Sequence, residues 1–126
     1  VYLCTDDGSE GFHGMVTGLI KHLIENENKH YDHCVIIGPM IMMKFASLTT
    51  KEFKIPTVVS LNALMVDGTG MCGACRVTVG DETKFVCVDG PEFDAHQVNF
   101  DEMMMRLGAY REQEQAAMAA YINSLK

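Results

Sequence analysis

Apolar and polar positions in the first sixty residues predict short buried strands alternating with amphipathic helices. Residues 1–4 (VYLC) are a β-branched and aromatic run that predicts a strand. A turn-rich loop follows, from Thr5 through Gly8 and Gly11 to Gly14. Over residues 15–27, Met15, Val16, Leu19, Ile20, Leu23 and Ile24 recur at three- and four-residue steps, which predicts a helix with Lys21, His22 and Glu25 on its wet face. Asn26 and Asn28 close it. Residues 34–37 (CVII) are too uniformly apolar for a half-exposed strand and predict one covered on both faces. Gly38-Pro39 then opens a helix from Met40 to about Leu48, with proline at a position whose N–H would have no partner anyway. Residues 57–61 (TVVSL) predict a third strand. This order implies parallel βαβ units with right-handed crossovers. Three strands leave an edge open unless an upstream segment pairs with it. The start at Val1, inside a predicted strand, points the same way, to a fragment of a longer chain.

Beyond Ala63 the pattern changes. Gly68, Gly70, Gly73, Gly80 and Gly90 punctuate a loop-rich region. Residues 76–79 (RVTV) and 84–88 (KFVCV) alternate and predict a hairpin across Gly80-Asp81. Cys75 and Cys87 then lie at two strand ends that meet. Residues 91–100 read as ordered loop. Asp101 is the expected N-cap of a helix running through Arg106 and Leu107. Residues 110–125 predict a last helix, with Tyr110, Ala117, Tyr121 and Leu125 on one stripe and a polar face beginning REQEQ.

Composition narrows the possible roles. A chain of 126 residues makes one domain or two small lobes, and 48% hydrophobic with 21% charged residues is ordinary for a globular chain. No apolar run approaches the roughly 20 residues that span a bilayer, and no export signal is evident, so membrane insertion is not expected. A net charge of −7 without a Lys/Arg cluster argues against nucleic acid and anionic membranes as partners. Five cysteines, unevenly placed, do not make a secreted disulfide framework; a metal site in a reducing, cytoplasmic setting explains them better. The ten methionines read as flexible core filling.

Candidate chemistry concentrates between residues 67 and 87. Asp67, Cys72, Cys75 and Cys87 run D-x4-C-x2-C-x11-C, the plant-type [2Fe–2S] spacing with a carboxylate in the first slot. Glycines around the motif let backbone N–H groups approach bridging sulfides. A zinc site on the three cysteines with Asp67 or His96 stays open, although no second CxxC follows. A redox dithiol fits less well, because a glycine-rich loop precedes the motif and a strand follows it. Asp67 also reads as an ordinary Asp-Gly turn residue. An oxygen donor releases less electron density than a thiolate, so as a ligand it implies a potential unlike that of an all-cysteine site. Cys4 and Cys34, inside predicted strands, are expected to be buried and inert. The two loops at the strand ends, 5–14 and 38–43, occupy the usual ligand position of open α/β sheets.

The stretches T-D-D-G-S-x-G-x-x-G, I-G-P-M-x-M-M, S-L-N-x-L-M-V-D-G-T-G-M-C-G-A-C-R-V-T-V and V-D-G-P-E-F-D carry a resemblance over nearly the whole chain. It resembles the small, flavin-containing subunit of NADH-dependent reduced ferredoxin:NADP oxidoreductase, also known as sulfide dehydrogenase or hydrogenase gamma subunit. More distantly it is similar to the electron-transfer subunit of dihydroorotate dehydrogenase B. In the latter group the first ligand is cysteine, so Asp67 points to the former.

The resemblance implies an α/β fold: the C-terminal part of a ferredoxin-reductase-like parallel-sheet nucleotide-binding domain over residues 1–62, a small β-hairpin iron–sulfur lobe over 63–100, and a helical segment over 101–126. It implies Asp67, Cys72, Cys75 and Cys87 as ligands of a [2Fe–2S] cluster. Thr5, Asp6, Asp7, Gly8 and Ser9, with Gly38, Pro39 and Met40, match its nucleotide loops. Relatives that bind NADP commonly carry Ser-Arg where Thr5-Asp6 stands here; an acidic side chain repels the 2′-phosphate, which favours NAD(H) over NADP(H). Ile37 stands where many ferredoxin reductases place a cysteine, so no catalytic residue is assigned. The implied partners are the chain's own N-terminal FAD domain and a larger flavin/iron–sulfur subunit. The fragment alone is not expected to turn over.

Overall fold

The computed structural model describes residues 1–125. β1 (Cys4–Thr5) is shorter than the predicted strand and pairs in parallel only with β2 (Phe12–His13). Thr5 organises the loop between them: its Oγ1 donates to Glu10 O at 2.9 Å, and its carbonyl accepts from Gly8 and Gly14 N–H. Gly8 and Gly11 both take φ +71°, where glycine alone is unstrained. α1 (Val16–Glu25) follows, burying Leu19 and Leu23.

β3 (Cys34–Ile37), α2 (Met40–Glu52) and β4 (Thr57–Ser60) form the one parallel βαβ unit, with Val35 opposite Val58 and Ile37 opposite Ser60. α2 runs one turn beyond its predicted end, and within it the buried Ser47, Thr49 and Thr50 bond their hydroxyls to helix carbonyls. Pro39 stands just before the helix rather than in its first position.

The predicted three-stranded parallel sheet is not what forms. The third strand beside β4 is antiparallel and comes from residues expected to be loop, as given below. β3 is also half-exposed: Ile36 is buried against α2, but Val35 and Ile37 are 56% and 71% exposed. Its apolar texture satisfies one packed face, and no described element covers the other.

The hairpin forms as predicted on its first strand, β5 (Arg76–Val79), with β6 (Glu82–Phe85) in register Arg76–Phe85 and Val79–Glu82. Gly80 takes φ +61° at the first turn position, as a type II′ connection requires. The second strand stops sooner than predicted. Residues 86–89 wind into one helical turn, α3 (Val86–Asp89), closed by Phe85 N–H donating to Asp89 Oδ2 at 2.7 Å. β7 (Glu92–Asp94) then returns to the first sheet, pairing with β4 through Phe93–Val59.

α4 (Phe100–Leu107) is capped by Asn99, not by Asp101: the Asn99 carboxamide oxygen accepts from Glu102 N–H at 3.1 Å. Asp101 instead sits in the first turn and pairs with Lys44 at 2.6 Å. A 3₁₀ turn, Gly108–Tyr110, leads to α5 (Arg111–Ser124), which has no buried residue. One core joins these parts. Val59 on β4, Met43 on α2, Val77 on β5, Val86 on α3 and Met103 on α4 are almost wholly buried in it, each contributing about 1.5–3 kcal/mol of apolar burial. The hairpin is therefore fastened to the βαβ unit through packed side chains.

Candidate metal centre

The antiparallel pairing brings Cys75, just ahead of β5, beside Cys87 in α3. Cys75 is 2% exposed and Cys87 half-buried. Their Sγ atoms stand 3.3 Å apart as free thiols. The helical turn produces this approach: Val86 N–H donates to Cys75 O at 3.1 Å and Cys87 N–H to Cys75 Sγ at 3.4 Å. The neighbouring Cys75 thiol, and then burial, push the Cys87 thiol up from its usual range.

Asp67 and Cys72 form a second pair on the glycine-rich loop. Asp67 Oδ1 accepts from Thr69 N–H at 2.9 Å and Oδ2 from Cys72 N–H at 3.0 Å. These amides, Thr69 first, hold its carboxyl below the ordinary carboxylate range. Asp67 thus does the work of a turn aspartate, while each oxygen keeps a lone pair for another partner. Cys72 is exposed, and its Sγ accepts from Ala74 N–H at 3.5 Å. Gly68 and Gly70 take φ +75° and +83° in this loop.

Among the described residues no three His, Cys, Asp or Glu side chains converge on a single ion's position. The donors fall into two pairs. His96, the other candidate zinc ligand, is turned away to α2, its Nε2 3.2 Å from Thr50 Oγ1. Three thiols and a carboxylate in two pairs, with amide N–H groups on two of the sulfurs, suit an iron–sulfur group, whose potential depends on such bonds. Cys4 and Cys34, expected buried, are both only half-buried; burial pushes the Cys34 thiol up.

The nucleotide-type loops lie elsewhere. Thr5, Asp6, Asp7, Gly8 and Ser9 follow β1, and Gly38, Pro39 and Met40 join β3 to α2. Asp7 Oδ1 accepts from Ser9 N–H at 3.0 Å, which lowers its carboxyl range. A groove of about 440 Å³ opens beside these loops, between β1 with the start of α1 and the first turns of α2, bounded by Cys4, Asp6 and Met15 on one side and Ile41, Met42 and Phe45 on the other. Met40 itself is buried in the core rather than facing this groove.

Sequence reasoning missed Arg106 as a site residue. Its Nη2 donates to Ala74 O at 3.0 Å and Gly73 O at 3.4 Å, on the loop that joins Cys72 to Cys75. The only signal was its position three residues after Met103, which places both on one helix face.

Fold and site together define a class: an α/β protein of ferredoxin-reductase-like fold carrying an iron–sulfur-binding lobe. Residues 62–99 match the family described as the iron-sulfur cluster binding domain of dihydroorotate dehydrogenase B. The chain is 51% identical, over 98% of its length and 43% of the relative's, to a Thermotoga maritima homologue of the dihydroorotate dehydrogenase B (NAD(+)) electron transfer subunit. It is 63% identical, over 90% of its length and 38% of the relative's, to an uncharacterized Clostridium beijerinckii protein from the adh 3′ region. Among solved structures, the NADH-dependent reduced ferredoxin-NADP oxidoreductase studied for flavin-based electron bifurcation superposes with a TM-score of 0.82 at 51% identity. That match covers 92% of this chain and 41% of the other. The chain spans about two fifths of the length of these curated relatives. No helix among the described residues is long and apolar enough to cross a membrane.

Proposed function

We propose that this chain is the electron-relay part of a cytoplasmic flavoprotein subunit, passing electrons between NAD(H)/FAD and a larger partner subunit through a [2Fe–2S] cluster. The observation that carries the proposal is the pairing of Cys75 and Cys87 at 3.3 Å, within a segment that matches an iron–sulfur cluster binding domain. When bound, such a cluster accepts and donates one electron at a time, complementing the two-electron chemistry of hydride and flavin. The residues supply the rest. Cys75 and Cys87 provide one pair of donors on a packed base, and Asp67 and Cys72 the other on the loop. Asp67, held ionised by the Thr69 and Cys72 amides, contributes a hard oxygen in place of a fourth thiolate.

The groove between the start of α1 and the first turns of α2 is the proposed NAD(H) side, with Asp6 on its wall disfavouring a 2′-phosphate. The resemblance assigns the flavin to an FAD domain of the full-length subunit, so turnover is expected of the full-length protein.

Anaerobically prepared full-length protein is expected to be brown, with iron and acid-labile sulfide near this lobe's roughly two each per chain. Asp67→Cys is expected to keep that stoichiometry while changing the cluster's absorption spectrum and potential. A colourless protein holding one zinc after iron–sulfide reconstitution overturns the reading, and an unchanged spectrum and potential in Asp67→Cys removes Asp67 from the ligand set.

A further inference from the structure

We infer that Arg106, outside the matched family segment, is a positioning residue that orients the amides of the Cys72–Cys75 loop and tunes the group held there. The inference rests on the cluster reading above.

α4 is fastened to the hairpin at several points. Asn99 caps it, Glu102 Oε2 accepts from Thr78 N–H of β5 at 3.0 Å, and Met103 is 1% exposed in the core. One turn on, the Arg106 guanidinium is delivered to the loop, where Nη2 donates to the carbonyls of Gly73 and Ala74.

Those two carbonyls belong to consecutive trans peptides. In a trans peptide the N–H points opposite to the C=O. A donor that holds Gly73 O therefore turns Ala74 N–H to the other side, where it meets Cys72 Sγ at 3.5 Å. Holding Ala74 O turns Cys75 N–H away from the guanidinium in the same way. The charge on Arg106 also polarises both peptides, strengthening each N–H as a donor. Amides aimed at cluster sulfurs and a nearby positive charge both favour the reduced form, so they raise the potential.

A basic residue in the last turn of a helix can also serve only the helix dipole. Arg106 does not have that exposed placement. Its Nε is buried and meets no acceptor among the described residues. Burying a donor without a partner is unfavourable, which a residue serving the helix end alone could avoid by staying in water. Arg76 provides the control. It is exposed and close to the same loop, near the position a Cβ on Gly73 would take, yet its side chain makes no hydrogen bond among the described residues.

The test is made on full-length protein with a reconstituted cluster. Arg106→Met and Arg106→Gln are expected to release iron to a chelator roughly ten- to a hundredfold faster, the usual effect of removing an outer partner of a metal site. Their potentials are expected to move to more negative values, with altered paramagnetic resonance of the reduced cluster. Arg106→Lys keeps the charge without the planar fork, so it should recover part of the potential but still release iron faster than wild type. Arg76→Gln should leave the chelator rate unchanged, although losing its charge near the loop also moves the potential to more negative values. Wild-type retention and potential in the Arg106 variants overturn the inference, as does an equal rise in chelator release in Arg76→Gln. If Arg106→Met or Arg106→Gln does not fold, Arg106→Lys decides alone through the chelator rate. Wild-type protein without iron defeats the cluster reading itself, whereas loaded wild type with unresponsive variants defeats only the role of Arg106.

Discussion

Cys75 and Cys87 rest on packed side chains, whereas Asp67 and Cys72 hang on a loop held mainly by backbone amides. Beneath the first pair lie Val77 and Val86, both fully buried. Around the second, Met71 is 89% exposed and the carboxylate bonds to Thr69 and Cys72 are open to water. The two pairs thus have different mechanical origins. The Cys75–Cys87 pair is set by tertiary packing. The Asp67–Cys72 pair is ordered by local hydrogen bonds on a loop that can adjust without unfolding the core.

The comparison can be broken by substitutions in each half. Val77→Ala removes two methyl groups from a fully buried core position and is expected to destabilise the protein by about 2 kcal/mol, read from urea unfolding. Asn99→Ala deletes the α4 cap and is expected to cost about 1 kcal/mol; because α4 also carries Arg106, cluster retention should weaken with it. Gly68→Ala forces a side chain into φ +75° with no neighbour within 4 Å of the new Cβ. The strain is local, since the loop can open without unfolding the core. Global stability should therefore change by less than about 0.5 kcal/mol, while the Thr69 and Cys72 amides exchange faster with solvent. Destabilisation by Gly68→Ala equal to that of Val77→Ala would show the loop to be as tightly built as the hairpin base.

Much of the architecture was legible without coordinates. The 15–27 periodicity marked α1, the CVII run matched β3 residue for residue, and Gly80-Asp81 marked the hairpin turn. These features depend on neighbours within a few positions, which local pattern records. The errors have non-local causes. β7 lies in PEFDAHQVNF, which has little strand texture, and becomes a strand because β4 offers it an edge. KFVCV alternates like a strand, but Val86 N–H bonds to Cys75 O and the chain turns into α3. Asn99 outcompetes Asp101 as cap because Phe100 must be buried as the first helical residue.

The candidate site divides the same way. The spacing of Asp67, Cys72, Cys75 and Cys87 is a property of the sequence alone, because chain length between donors limits which of them can meet. The sequence by itself also determined the charge that disfavours nucleic acid and the glycines that permit left-handed loop positions. Only the tertiary structure decided that the candidate donors divide into a packed Cys75–Cys87 pair and an exposed Asp67–Cys72 pair, that His96 faces Thr50, and that Arg106 reaches back across more than thirty residues to Gly73 and Ala74. The physical reason is that burial and long-range hydrogen bonds depend on how elements pack, and no local pattern encodes which helix will carry an arginine to a distant carbonyl.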